Sequence, residues 1–192
     1  MRPFDGLLKR ERMRTEMDAP IVHTARAVLE VSGHLRTYAK KFILSSSCKQ
    51  QLRKDGYSTI YPEIFRSYAL DFNWSYWGSI YEYDPFQHFF CYTLFQLARH
   101  GDAFVSPGDY AVGFYKSFPM IIEDLVDDDE SPEAIDFVFF IFIVHVVIQF
   151  WGFFGLAEFE DTDPGSDEMP FVRATPLFRE LIQFPAGWIV GK

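Results

Sequence analysis

The sequence predicts a mainly α-helical protein in which a central helical bundle joins two winged-helix-like units, each with a short two-stranded β wing. Three observations carry this. A capping residue followed by proline opens four apolar runs, and apolar residues recur at helical spacing through much of the chain. The order helix, glycine, strand, loop, strand, capped helix also occurs twice. The expected organisation is a basic N-terminal segment with the first unit over 1–56, a central helical region over 57–131, and the second unit with an acidic wing and tail over 132–192.

The first unit begins with an apolar-periodic helix over Thr24–Val31, followed by Gly33. A strand over His34–Thr37, a turn over Tyr38–Lys40 and a strand over Lys41–Leu44 follow. Ser45 then caps a helix running to about Lys54. A further helix is expected from Pro62 to about Phe72. The four cap-proline pairs are Asp84-Pro85, Ser106-Pro107, Ser131-Pro132 and Thr175-Pro176. The cap side chain accepts a bond from an orphan N–H, and proline at N1 gives up a donor that had no partner. These pairs predict helices from Pro85 to His100, closed by Gly101, from Pro107 to Ser117, from Pro132 to near Gly155, and from Pro176 to Phe184. Phe118-Pro119 forces a break before a short helix over Met120–Val126. Glu123–Glu133 reads as an exposed acidic connection. The second unit repeats the first, with Gly155, a strand over Leu156–Phe159, a loop, a strand over Phe171–Ala174 and the Thr175 cap.

The chain has 192 residues, 22 of them Phe, with 48% hydrophobic content and a net charge of −9. That supports a sizeable core and argues against a general polyanion binder. The charge is uneven. Residues 1–56 carry 12 Lys/Arg against 6 Asp/Glu, a net of +6, which leaves −15 for the rest. No Lys or Arg occurs between Ser117 and Val172. Either two kinds of partner or a basic part lying against the acidic rest would account for this. The two cysteines, Cys48 and Cys91, have no metal-ligand spacing, and a reducing cytoplasm suits them. No apolar run follows the N-terminal cations, so no signal peptide is expected. Residues 137–156 lack Lys, Arg, Asp and Glu and are long enough to span a bilayer. His145, Gln149, Gly152, Gly155 and two acidic flanks favour a core helix buried on most sides instead.

The segments Ser32-Gly33-His34-Leu35-Arg36, Phe42-Ile43-Leu44-Ser45, Phe72-Asn73-Trp74-Ser75-Tyr76, Phe118-Pro119, Phe154-Gly155-Leu156 and Thr175-Pro176-Leu177-Phe178 occur in this order. In that order they resemble a poorly characterised bacterial helical family with winged-helix-like ends. Its members are sometimes fused to plasmid open-reading-frame-three-like or SEC-C domains. The resemblance runs from about Thr24 to Phe184 and implies a fold, with no activity to carry over. The chain departs from the pattern in two ways. Only 23 residues precede the first recurring helix, and the long second helix lacks an expected basic residue.

The leading functional expectation is a non-enzymatic interaction protein whose acidic surface engages a protein partner, with inhibition of a nucleic-acid-handling complex as one outcome. The acidic candidates are Glu158, Glu160, Asp161, Asp163, Asp167 and Glu168 in the second wing, where contact with phosphate would be repulsive. The alternative is a DNA-binding regulator using Arg26, Arg36, Lys40, Lys41, Lys49 and Arg53 of the first unit. An aromatic interface is expected from Trp74, Tyr76, Trp77 and Trp188, since aromatics with polar tips recur at interfaces. Neither Glu123–Glu130 nor the histidines have metal-site spacing: His88 and Cys91 share a helical face at i, i+3 but lack a second pair. Both cysteines read as small core residues. No catalytic motif, cofactor or metal site is expected.

Overall fold

The computed structural model describes residues 16, 19–77, 85–126, 132–161, 169–185 and 187–188. Contacts group the chain into two compact units: described residues up to Gln87 form one, and those from His88 onward form the other. The described residues of 57–87 therefore group with the first wing, and 88–126 with the second.

In the first unit, α1 (Pro20–Val31) starts with proline at N1 and buries Thr24 and Val28, one turn apart. It ends at Gly33, whose φ of +73° suits a residue without Cβ. The amide of His34 reaches back to the Leu29 carbonyl at 2.9 Å, and that of Gly33 to Glu30 at 3.0 Å. Strands β1 (Leu35–Tyr38) and β2 (Lys41–Leu44) pair antiparallel, Leu35 opposite Leu44 and Tyr38 opposite Lys41. Ala39 and Lys40 form the two-residue tip. Helix α2 (Ser46–Asp55) is capped by the Ser45 hydroxyl, which accepts from the Cys48 amide at 3.2 Å.

Helix α3 spans Tyr57–Leu70, so the expected start at Pro62 is corrected. Gly56, at φ +68°, both ends α2 and begins α3, which leaves Pro62 inside the helix at the cost of one backbone bond. Tyr68, Phe72 and Trp74 form a buried aromatic cluster, and the Trp74 indole donates to the Tyr68 carbonyl at 2.9 Å. A 3₁₀ turn covers Trp74–Trp77. Gln87 Nε2 closes this corner by donating to the Phe72 carbonyl at 2.7 Å.

The helix expected over 85–100 is two helices, α4 (Pro85–His88) and α5 (Phe90–His100). Phe89 leaves helical geometry between them, and its ring packs 4.3 Å from that of Phe118. His88 and Cys91 thus lie on separate helices, and both are exposed, which corrects the core reading of Cys91. Within the second unit, α5 ends at Gly101 (φ +62°) as predicted. Helix α6 (Pro107–Ser117) is capped by Ser106 and buries Tyr110, Ala111, Phe114 and Tyr115. Helix α7 (Met120–Val126) follows Pro119. The caps expected at Asp84 and Ser131 lie outside the described residues, as do residues 127–131 of the acidic connection.

Helix α8 (Pro132–Phe142) passes without a break into a π-helical stretch, Ile143–Gly152. The inner side of α8 carries Val138, Ile141 and Phe142 into the core, where Phe142 meets Phe114 at 5.2 Å. The Tyr115 hydroxyl donates to the Val138 carbonyl at 2.8 Å. By length and composition Glu133–Gly152 could cross a membrane, and 39% of its most apolar window is buried. Within 137–156, the stretch expected to be a core helix, only Phe137 and Phe140 are exposed. Ile135, Phe137 and Phe140 are exposed, while the π stretch buries His145, Val146, Val147, Phe150 and Trp151.

The second wing pairs β3 (Ala157–Phe159) with β4 (Val172–Ala174), antiparallel, and Val105 bridges Val172 on the other side. Helix α9 (Pro176–Leu181) is capped by Thr175 and ends before the expected Phe184, with Ile182 in extended geometry.

Candidate functional site

The basic set sits on the first wing and the helix that follows it. Arg26 is the exception. Its Nε donates to Glu16 at 2.6 Å, its guanidinium pairs with Glu30 at 2.5 Å, and its carbon lies 5.2 Å from the Phe42 ring centre. The Arg26 guanidinium holds the Glu16 carboxyl below its ordinary range, assisted by His23. Arg26 is thus a structural cation tying the start of the unit to α1. The other five, Arg36, Lys40, Lys41, Lys49 and Arg53, are exposed, and no ion pair engages them among the described residues. Lys49, Arg53 and Lys54, with Ser46 and Gln50, recur at i, i+3, i+4, i+7 and i+8 of α2. Together they line an open groove of about 600 Å³. Ala39 and Lys40 hold φ values of +48° and +59°, the left-handed region that asparagine and glycine occupy more readily.

The acidic set divides. Glu158 accepts from Arg173 Nε across the β3–β4 pair, and the Arg173 guanidinium stacks 4.4 Å over Phe104. Glu160 and Asp161 are exposed just beyond the end of β3. Asp163, Asp167 and Glu168 lie outside the described residues. Pairing of Arg179 with Asp102 occupies a second cation of this unit. Glu123 and Asp124 on α7, Glu133 and Asp136 on α8, and Glu160 are exposed, and no described cation pairs with them.

The aromatic set also divides. Trp74 is 1% exposed and belongs to the core of its unit, which corrects its placement in an interface. Tyr76 is exposed, and its hydroxyl lies 2.7 Å from His23 Nε2. Trp188 is 63% exposed, and the Trp77 side chain lies outside the described part. Cys48 is buried; desolvation raises the Cys91 thiol pKa, away from a reactive thiolate.

Two features escaped the sequence reading. One is the groove on α2, visible as a helical repeat of polar residues once the helix limits are known. The other is the outward side of α8, where Glu133, Asp136, Phe137 and Phe140 fall at i, i+3, i+4 and i+7.

The molecule is a mainly helical protein carrying two helix–wing–helix modules, one with a free basic surface and one with free acids. Comparison of the chain with family models, with curated proteins and with solved structures finds no match.

Proposed function

We propose that this is a non-enzymatic interaction protein whose acidic second unit binds a basic surface on a protein partner. The observation that carries the reading is the uncompensated charge of residues 88–192. They hold 17 Asp/Glu against 5 Lys/Arg, and two of those cations are tied up in pairs with Glu158 and Asp102. Exposed carboxylates on α7 and α8 and at Glu160 attract a basic surface over a Debye length and repel phosphate. A basic channel in a nucleic-acid-handling complex is one surface of this chemistry, and occupying it would inhibit the complex. The test titrates the full chain with a Lys-rich peptide at two ionic strengths. Replacing Glu123 by Gln, Asp124 by Asn and Glu160 by Gln should weaken binding several-fold and flatten its salt dependence. Unchanged binding overturns the reading.

A second reading, DNA contact through the first unit, is favoured by the strained tip. Lys40 stays in a left-handed conformation that costs an L-residue about 1–2 kcal/mol, and this sets Lys40 and Lys41 at the end of the wing. A duplex gel shift should weaken steeply with salt and disappear when Lys40, Lys41, Lys49 and Arg53 become Glu. No shift at low salt removes this reading.

A further inference from the structure

The outward side of α8 combines two properties that seldom coincide on a solvated helix. Phe137 and Phe140 are 45% and 54% exposed, one turn apart. Glu133 and Asp136 are exposed on the same side and unpaired among the described residues. The helix cannot turn to hide these rings, because its opposite side is committed. Val138, Ile141 and Phe142 are buried there, Phe139 packs against Tyr115 at 5.4 Å, and the Tyr115 hydroxyl holds the Val138 carbonyl. The stripe is therefore fixed in place.

We infer that this stripe docks a basic amphipathic segment of a partner protein, its apolar residues covering Phe137 and Phe140 and its lysines or arginines meeting Glu133 and Asp136. This rests on the acidic reading proposed above and names the place on the unit where the partner sits. The argument is one of complementarity. A pair of aromatic rings flanked by carboxylates selects an occupant that is apolar along one line and cationic beside it, which is how helix-in-groove partners are read. Lipid suits the same surface less well. Inserting the rings would carry Glu133 and Asp136 toward hydrocarbon, where carboxylates are costly, and the acids repel an anionic membrane. The remainder of the apolar helix is unavailable for insertion, because Val146, Val147, Phe150 and Trp151 are buried in the unit.

The experiment measures fluorescence anisotropy of two labelled peptides against the full chain, together with cosedimentation with vesicles of phosphatidylcholine, with and without phosphatidylserine. One peptide is a helix with Leu at i, i+3, i+4 and i+7 and Lys elsewhere; the other has Glu in place of Lys. The native chain should bind the Leu/Lys peptide and ignore the Leu/Glu peptide and both vesicles. Phe137→Ser with Phe140→Ser should lower that affinity by about tenfold or more, the size expected for aromatic anchors. Glu133→Lys with Asp136→Lys should abolish the preference and confer binding of the Leu/Glu peptide, a gain that misfolding would not produce. Binding within twofold of native for both double variants overturns the inference, and so does vesicle binding without peptide binding. The variant neutralised at Glu123, Asp124 and Glu160 is run alongside. If it alone loses the peptide, the acidic reading stands and the stripe does not; if the native chain binds nothing basic, both fall.

Discussion

In both modules a glycine at positive φ ends the first helix, and the backbone bonds around it coincide. The amide of His34 reaches the Leu29 carbonyl as that of Leu156 reaches Trp151, at 2.9 and 2.8 Å. Gly33 and Gly155 each bond three residues back at 3.0 Å, and the amides of Ser45 and Thr175 bond the carbonyls of His34 and Leu156 at 2.9 Å. Strand register matches as well, Leu35–Leu44 answering to Ala157–Ala174. Side chains at matching places diverge. Arg36 faces solvent where the second module has Glu158, and Val28 fills the core where the second has Phe150. The wings differ too: a two-residue tip bearing lysine in one, and a longer acid-rich connecting sequence in the other. Local backbone chemistry specifies the module, and the surface is then free to carry either sign of charge. Residues 7–87 sum to +3 and the remainder to −12.

The equivalence is most exposed to attack in the cores. Phe150→Ala should cost about 3–5 kcal/mol, and Val28→Ala about half as much, because the smaller side chain leaves less void. Urea unfolding of the two variants ranks them, and the reverse order would mean that the modules do not use these positions alike. Next come the glycines. Gly33→Ala and Gly155→Ala should each lose about 1–2 kcal/mol from backbone strain alone, since an added Cβ meets nothing within 4 Å at Gly33 and only Leu177, at 3.9 Å, at Gly155. A neutral outcome at either site would break the match.

The caps should cost about 1 kcal/mol each, with Thr175→Ala the more damaging of the two. Besides capping Phe178, the Thr175 hydroxyl donates to the Gly155 carbonyl at 2.7 Å, a bond without counterpart at Ser45. Thermal melts of the two alanine variants decide it.

The smallest effect separates the units by pH. Burial lowers the His100 pKa from 6.5, so its contribution is present above 6.5 and is lost as pH falls from there through the lowered value. Glu16, held below 4.5 chiefly by Arg26, contributes above 4.5 and loses that contribution only as pH falls through its own depressed value. Residue-resolved NMR during acidification should therefore show residues near His100 and Tyr110 loosening before those near Glu16 and His23. Simultaneous loosening would contradict this.

Much of this fold was legible because its signals are local. Ser45, Ser106 and Thr175 cap helices with their own hydroxyls, and Gly33, Gly101 and Gly155 stop them at positive φ. What failed to show depends on distant packing. Phe89 breaks a helix while its ring meets Phe118, and Pro62 looked like a start because Gly56 was not seen to separate two helices. The site was less legible. Glu30 lies four residues from Arg26 and could have been paired with it, but Glu16, ten residues away, is brought there by the fold. Which side of α8 faces water is decided by α6 and α7, not by composition.

From Phe137 to Trp151 is about four turns of a regular α-helix, which would aim both rings the same way. The bonds of Ile143–Gly152 span five residues, as from the Phe153 amide to the Ile148 carbonyl, and each such turn consumes extra chain. Rotation accumulates, and Trp151 comes round to the interior. The helix works as an indexing shaft, with one heading at its entry and another at its exit, where the second wing is mounted. Removing a single residue from that stretch would turn everything after it by roughly a quarter-turn, enough to take the wing out of register with Val105.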